Sequence, residues 1–319
     1  MRKSVVIFLT LAMAVAVAAI FMGRRPVRPQ VAKPIVATQP DVSRVQPVRI
    51  NRDDLAAVAV KADRVRPVLG LANESYADRE KALSKLVGTN LKPEEIGAIV
   101  AYLNSRGDFP GMIAGREQVL KNNLMDLLIQ QTPPPTNLLE TLCGIYQDKG
   151  QDAVLQNYAI QHVISSCLAS TNQPPTERQA ALDVLWVAVG ETDASLAGTA
   201  LMGLDRLAAK GRAIETNRLN ETALKLALNP VSGELARVTA LQVCAKRRLG
   251  DVLPEALKLA QEGVSVPLRA SAIATIGVLG GESERTILRT MKKQGDKRLQ
   301  AAVLAALQKL NAKLPPSKA

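Results

Sequence analysis

The sequence predicts an all-α chain folded as a right-handed α-solenoid of about six to seven stacked helix pairs. Three observations predict it. The first is a repeat. Residues 267–280 and 296–310 each open on a proline or charged residue and then mix small and large apolar residues at helical spacing. They align without a gap at a spacing of 31, placing Ala272 over Val303, Ile273 over Leu304 and Ile276 over Leu307. Leu268, Ala272, Ile276 and Leu279 share one helical face, as do Leu299, Val303, Leu307 and Leu310. The second is composition. Hydrophobic residues make up 47% and aromatics only 3%, so Ala, Leu and Val carry the core, which suits close helix-on-helix packing. The third is punctuation: Gly and Pro mark nearly every junction between apolar helical stretches, and no stretch alternates with the period of a strand.

Taken in order, the chain opens with Met1, Arg2 and Lys3, followed by residues 4–22 without a charge. This is the pattern of an export signal or a signal anchor. Small-x-small sites at Ala14–Ala16 and Ala16–Ala18 favour cleavage, whereas nineteen uncharged, mostly apolar residues approach the length that spans a bilayer. Residues 1–22 are therefore a signal peptide or a retained anchor, and the body is expected outside the cytoplasm, periplasmic or tethered to the inner membrane. Residues 23–67 form a Pro/Arg-rich linker, expected to be largely disordered, with one short helix possible over 53–65. The stretch holds ten Lys/Arg against four Asp/Glu, which is +6 of the whole-chain +12. The remaining 252 residues carry 29 basic and 25 acidic groups, so the bulk of the chain is only mildly basic, which argues against nucleic acid as the partner.

The repeat domain is expected over 68–314, with a disordered tail at 315–319. Its first helices are anchored at Ala82, Asn123, Ala159, Ala200, Ala240, Ala272 and Val303, spaced 41, 36, 41, 40, 32 and 31. Second helices are expected over 93–103, 136–147, 176–189, 215–228, 252–261 and 283–293. Pro93 sits at a first-turn position with Glu94 and Glu95 at the positive helix end; Pro133–Pro135 and Pro174–Pro175 precede the next two.

These Ala-plus-aliphatic first helices, and the Pro267 or Asp296 that opens the last copies, resemble the HEAT-repeat family of α-solenoids over about residues 72–312. The stretches 93–103, 120–128 and 157–162, with Pro134 and Pro135, also resemble exported bacterial HEAT-like proteins. The resemblance implies a scaffold or binding surface and brings no catalytic residues. It further implies that the second helix of each pair lines the concave side.

Chemistry is sparse. His162 is the only histidine, and the expectation for it is a core position bonded to a neighbouring helix. Cys143, Cys167 and Cys244 fit no zinc spacing and read as free thiols packed as small apolar residues. No catalytic, cofactor-binding or metal-ligating residue is assigned, and the chain reads as no enzyme and as taking no small-molecule substrate. One surface stands out. Arg285, Arg289 and Lys292 fall at i, i+4 and i+7, and Lys293, Lys297 and Arg298 add to them. The expected function is a non-catalytic scaffold or adaptor that binds a protein partner on its concave surface. The alternative is polyanion binding (nucleic acid, anionic glycan or lipid head groups) at this C-terminal ridge.

Overall fold

The computed structural model describes residues 52–71, 74–105, 115–169, 174–191 and 193–314. The expected targeting segment, most of the linker and the 315–319 tail lie outside the described residues. Among the described residues no helix is long and apolar enough to cross a membrane.

The described chain is an α-solenoid. Two short helices, α1 (Arg52–Val58) and α2 (Arg66–Leu69), lead into α3 (Tyr76–Ser84) and α4 (Pro93–Asn104). Then follow α5 (Arg116–Ile129), α6 (Leu138–Gln147), α7 (Ala153–Ala169), α8 (Pro175–Val189) and α9 (Ala194–Ala209). The last six are α10 (Thr216–Leu228), α11 (Glu234–Lys246), α12 (Leu253–Glu262), α13 (Val266–Leu279), α14 (Glu282–Gln294) and α15 (Gln300–Lys313). The second helices begin and end within about two residues of where Pro and Gly place them. The odd-numbered helices from α3 to α15 form one layer and the even-numbered helices α4 to α14 the other.

The short helix possible over 53–65 is present as α1, and helical structure resumes at α2. The stretch 52–67, read as linker, folds onto the first repeat: Leu55, Ala59, Ala62 and Val65 are all fully buried. Arg64 grips Glu95 of α4 through Nε at 2.7 Å and Nη2 at 2.5 Å. Its hydrogen bonds hold the Glu95 carboxyl below the usual carboxylate range. These two helices cover the open end of the stack, as a terminal cap must in a repeat protein.

The two layers are packed differently. In the first layer each of α7, α9, α11, α13 and α15 lies directly against its predecessor; in the second, α8, α10, α12 and α14 do not pack closely on one another. Small residues make the close approach possible. A methyl group added at Gly277 of α13 would lie 2.6 Å from Ala306 Cα of α15, and one at Gly198 of α9 would lie 3.0 Å from Thr239 Oγ1 of α11. Hydroxyls tie the same layer, Ser271 donating to the Val238 carbonyl at 3.1 Å and Thr275 to that of Leu241 at 3.2 Å. The anchors from Ala159 to Val303 and the aliphatics behind them form the core. Leu304, equivalent to the buried Ile273 and Leu241, is 48% exposed, since among the described residues no helix packs on the far side of α15.

A second regularity was missed in the sequence. Three residues before the anchor, in the first turn of a first-layer helix, a long polar side chain reaches back to the carbonyl end of the preceding helix. Arg79 Nε donates to Val68 O at 2.7 Å, Arg237 Nε to Ala227 O at 3.3 Å and Arg269 Nε to Ala260 O at 3.1 Å. Gln156 Nε2 donates to Asp148 O at 3.2 Å and Gln300 Nε2 to Lys292 O at 3.1 Å. Each supplies a donor to a helix terminus whose last carbonyls lack intrahelical partners.

Candidate functional site

The predicted basic ridge divides on folding. Arg285 is not part of it: the side chain is 2% exposed and bonds Glu282 through Nε at 3.1 Å and also through Nη2. It occupies the first turn of α14, one turn before the fully buried Leu288, so helical spacing alone put it on the wrong side of the boundary. Arg298 is exposed but held, with Nη2 2.7 Å from Asp296 Oδ2. That bond is the main cause pulling the Asp296 carboxyl down to about 2. Arg289, Lys292, Lys293 and Lys297 are exposed and form no ion pair among the described residues.

The exposed ridge lysines lie on α14 and just beyond it, on a helix of the second layer.

The outward face of the first layer has its own register. Two positions beyond each anchor, and one helical turn either side, side chains point away from the core. On α7 these are Asn157, Gln161 and Ser165; on α9 and α11 they include Arg206, Gln242 and Lys246; on α13 and α15 they are mainly alanines such as Ala274 and Ala305. The face therefore grades from amide and hydroxyl, through cationic, to small and apolar. Amides bridge neighbouring helices: Asn157 Nδ2 donates to Ser195 Oγ at 2.6 Å, and Thr199 Oγ1 donates to Asn157 Oδ1 at 3.1 Å. At the cationic centre, the buried Asp205 carboxylate accepts from Lys246 Nζ at 2.5 Å and Arg247 Nη1 at 3.2 Å. The basic run 246–248 is thus a set of ties between repeats, with Arg248 Nη1 donating to Val278 O of the next one at 2.9 Å.

His162 is a buried core residue, as its solitary place on an apolar face suggests. Its Nε2 lies 2.8 Å from Asn122 Oδ1 on α5, and Nδ1 lies 3.6 Å from Asp126 Oδ1. Burial lowers its pKa to about 4, so at neutral pH the ring is uncharged and the Asp126 contact is not a salt bridge. A second polar cluster sits near the N-terminal end. Arg79 Nη2 donates to Tyr102 Oη at 2.7 Å, and Lys121 Nζ donates to Ser105 O at 2.7 Å while lying 3.2 Å from Glu117. Burial lowers the Lys121 pKa and raises that of Tyr102. Lys121 borders a shallow cleft of about 130 Å³ with Gln118 and Asp152.

The three cysteines carry free thiols. Burial pushes Cys143 up to about 12, with the neighbouring Cys167 a lesser cause, and pushes Cys167 to about 11 and Cys244 to about 12. All three stay protonated at neutral pH and are poor nucleophiles. Among the described residues no group of three His, Cys, Asp or Glu could hold a metal ion.

The chain matches no protein-family model and no curated protein. Among solved structures it is similar to human deoxyhypusine hydroxylase in complex with glycerol. That match has 15% identity and a TM-score of 0.33, and covers 82% of this chain and 97% of that one. That protein is named as an enzyme, and the exclusion of catalysis drawn from the sequence is corrected on this point: similarity of this kind reaches an enzyme. At this TM-score the likeness assigns no reaction, substrate or residue role.

Proposed function

We propose that the repeat body binds an extended segment of a protein partner along its first-layer face. The observation that carries this reading is the register of that face: outward positions recur two residues beyond each anchor from α7 to α15, on helices that lie side by side. The amides of Gln161 and Gln242 offer paired donors and acceptors to a peptide backbone, and Arg206 offers a fork to a carboxylate. The alanines of α13 and α15 let a side chain approach the helices closely. Nearly all of the long hydrophobic side chains of the stack are turned into its core, so recognition on this face rests on hydrogen bonds and shape. In the sequence reading the partner is met outside the cytoplasm, with residues 4–22 as an export signal or tether.

The test is photo-crosslinking in the producing cell, with a benzophenone amino acid at Gln161 or Gln242 and, for comparison, at Lys258 on the second layer. The reading expects one adduct of discrete mass from both first-layer positions and none from Lys258. No adduct at either first-layer position, or equal adducts from both layers, would overturn it.

A further inference from the structure

One edge of the solenoid combines features that the first-layer face lacks. The hairpins α10–α11, α12–α13 and α14–α15 stack side by side, so their three connecting turns share that edge. Two of these turns hold a valine out in solvent. Val231 is 84% exposed and Val264 is 93% exposed, and Leu228 at the end of α10 is exposed beside them. The turns themselves are well braced. Val231 N donates to Asn229 Oδ1 at 3.1 Å, and Ser265 Oγ, directly after Val264, accepts from Leu268 N at 3.3 Å to cap α13. Apolar tips held on braced turns gain nothing from the fold that presents them.

The same edge is positively charged. Lys225, Lys258, Lys292, Lys293 and Lys297 are exposed within about one helical turn of it and form no ion pair among the described residues. The exposed acids there are Glu234 and Glu262, while Asp296 is occupied by Arg298 and Arg269. The opposite edge, at 206–215 and 247–252, carries charged groups such as Lys210 and Arg248 but no large apolar side chain that is exposed.

We propose that this edge docks the repeat body on an anionic lipid bilayer. Val231 and Val264 enter the boundary between headgroups and acyl chains, and the lysines face the anionic headgroups with their methylene stems lying along the interface. A protein partner would need a continuous complementary surface around the two tips, whereas a bilayer accepts separate tips at one depth. A nucleic acid backbone would use the lysines and leave the valines in water. The docking edge is distinct from the first-layer face, and the proposal stands independently of the peptide-binding reading.

The full chain is tested with a local probe, so that any membrane binding by residues 4–22 does not obscure the result. Val264→Cys, in a background with the three native cysteines changed to alanine, is labelled with an environment-sensitive nitrobenzoxadiazole dye. Lys210→Cys on the opposite edge is the companion. On vesicles of phosphatidylcholine with about 30% phosphatidylglycerol, the dye at 264 is expected to shift to the blue and brighten at least about twofold, the dye at 210 to stay unchanged, and added salt to reverse the response. The triple change Lys292→Glu, Lys293→Glu and Lys297→Glu, with helicity checked by circular dichroism, should reduce it severalfold. No response at 264 when the chain is bound to the vesicles, an equal response at 210, or an equal response on pure phosphatidylcholine would each overturn the proposal.

Discussion

The two layers of this solenoid are made of similar helices but do different work. In the first layer, helices approach until Gly277 meets the backbone of α15, and polar groups are spent on ties between repeats: Ser271, Thr275, Asn157 and Asp205. In the second layer α8, α10, α12 and α14 do not pack closely on one another, although α6 lies against α4 and α8. Gly144 of α6 shows the contrast, since a methyl group added there would meet nothing within 4 Å. The difference teaches that, from α8 onward, cohesion between repeats resides in the first layer.

That contrast can be broken most severely at Gly277. Gly277→Val should force α13 and α15 apart and cost about 3 kcal/mol of stability in urea unfolding. Next comes the buried imidazole between α5 and α7. Folding holds His162 near pKa 4, while the unfolded chain takes up the proton near 6.5, so acid favours the unfolded chain. Its contribution is present above about pH 6.5 and is lost as pH falls toward 4. Wild type should therefore lose about 2 kcal/mol between pH 7 and pH 5, and His162→Gln should flatten that slope. Arg237→Ala tests the link between the layers. It removes the bonds to Ala227 O and, at 2.7 Å, to Glu255, and should cost about 1.5 kcal/mol. The smallest effect has the opposite sign: Gly144→Ala should stabilise by about 0.7 kcal/mol, because helix propensity improves with no clash. Equal losses at Gly277 and Gly144 would remove the distinction between the layers.

Much of the fold was readable from the sequence because local chemistry carries it. Pro93, Pro175 and the glycine stops mark the second helices, and the anchors from Ala159 to Val303 mark the core side of the first. What was not readable depends on residues about a repeat apart. Which layer packs tightly is decided by Gly198 and Gly277 meeting helices far along the chain, although a glycine inside an otherwise sound helix was a usable signal. The Arg and Gln three residues before the anchors stand in the aligned copies, but their role depends on a helix-end carbonyl that the apolar pattern does not mark. Arg285 misled because its helical wheel is ambiguous at the first turn, one turn before the buried Leu288.

Those Arg and Gln clasps have a consequence for how the chain can change its length. Each spans eight to eleven residues and fastens the start of one helix to the end of the one before it. From α6 onward, the clasped turns are only three to five residues long. An inserted residue there would pull the donor off its carbonyl. The 105–115 connection, which precedes Leu120 rather than an Arg or Gln, is the longest on that side. The solenoid therefore has one length-locked margin and one where loops of different sizes are already in use. New segments, whether acquired in evolution or grafted at the bench, have room to enter along the second.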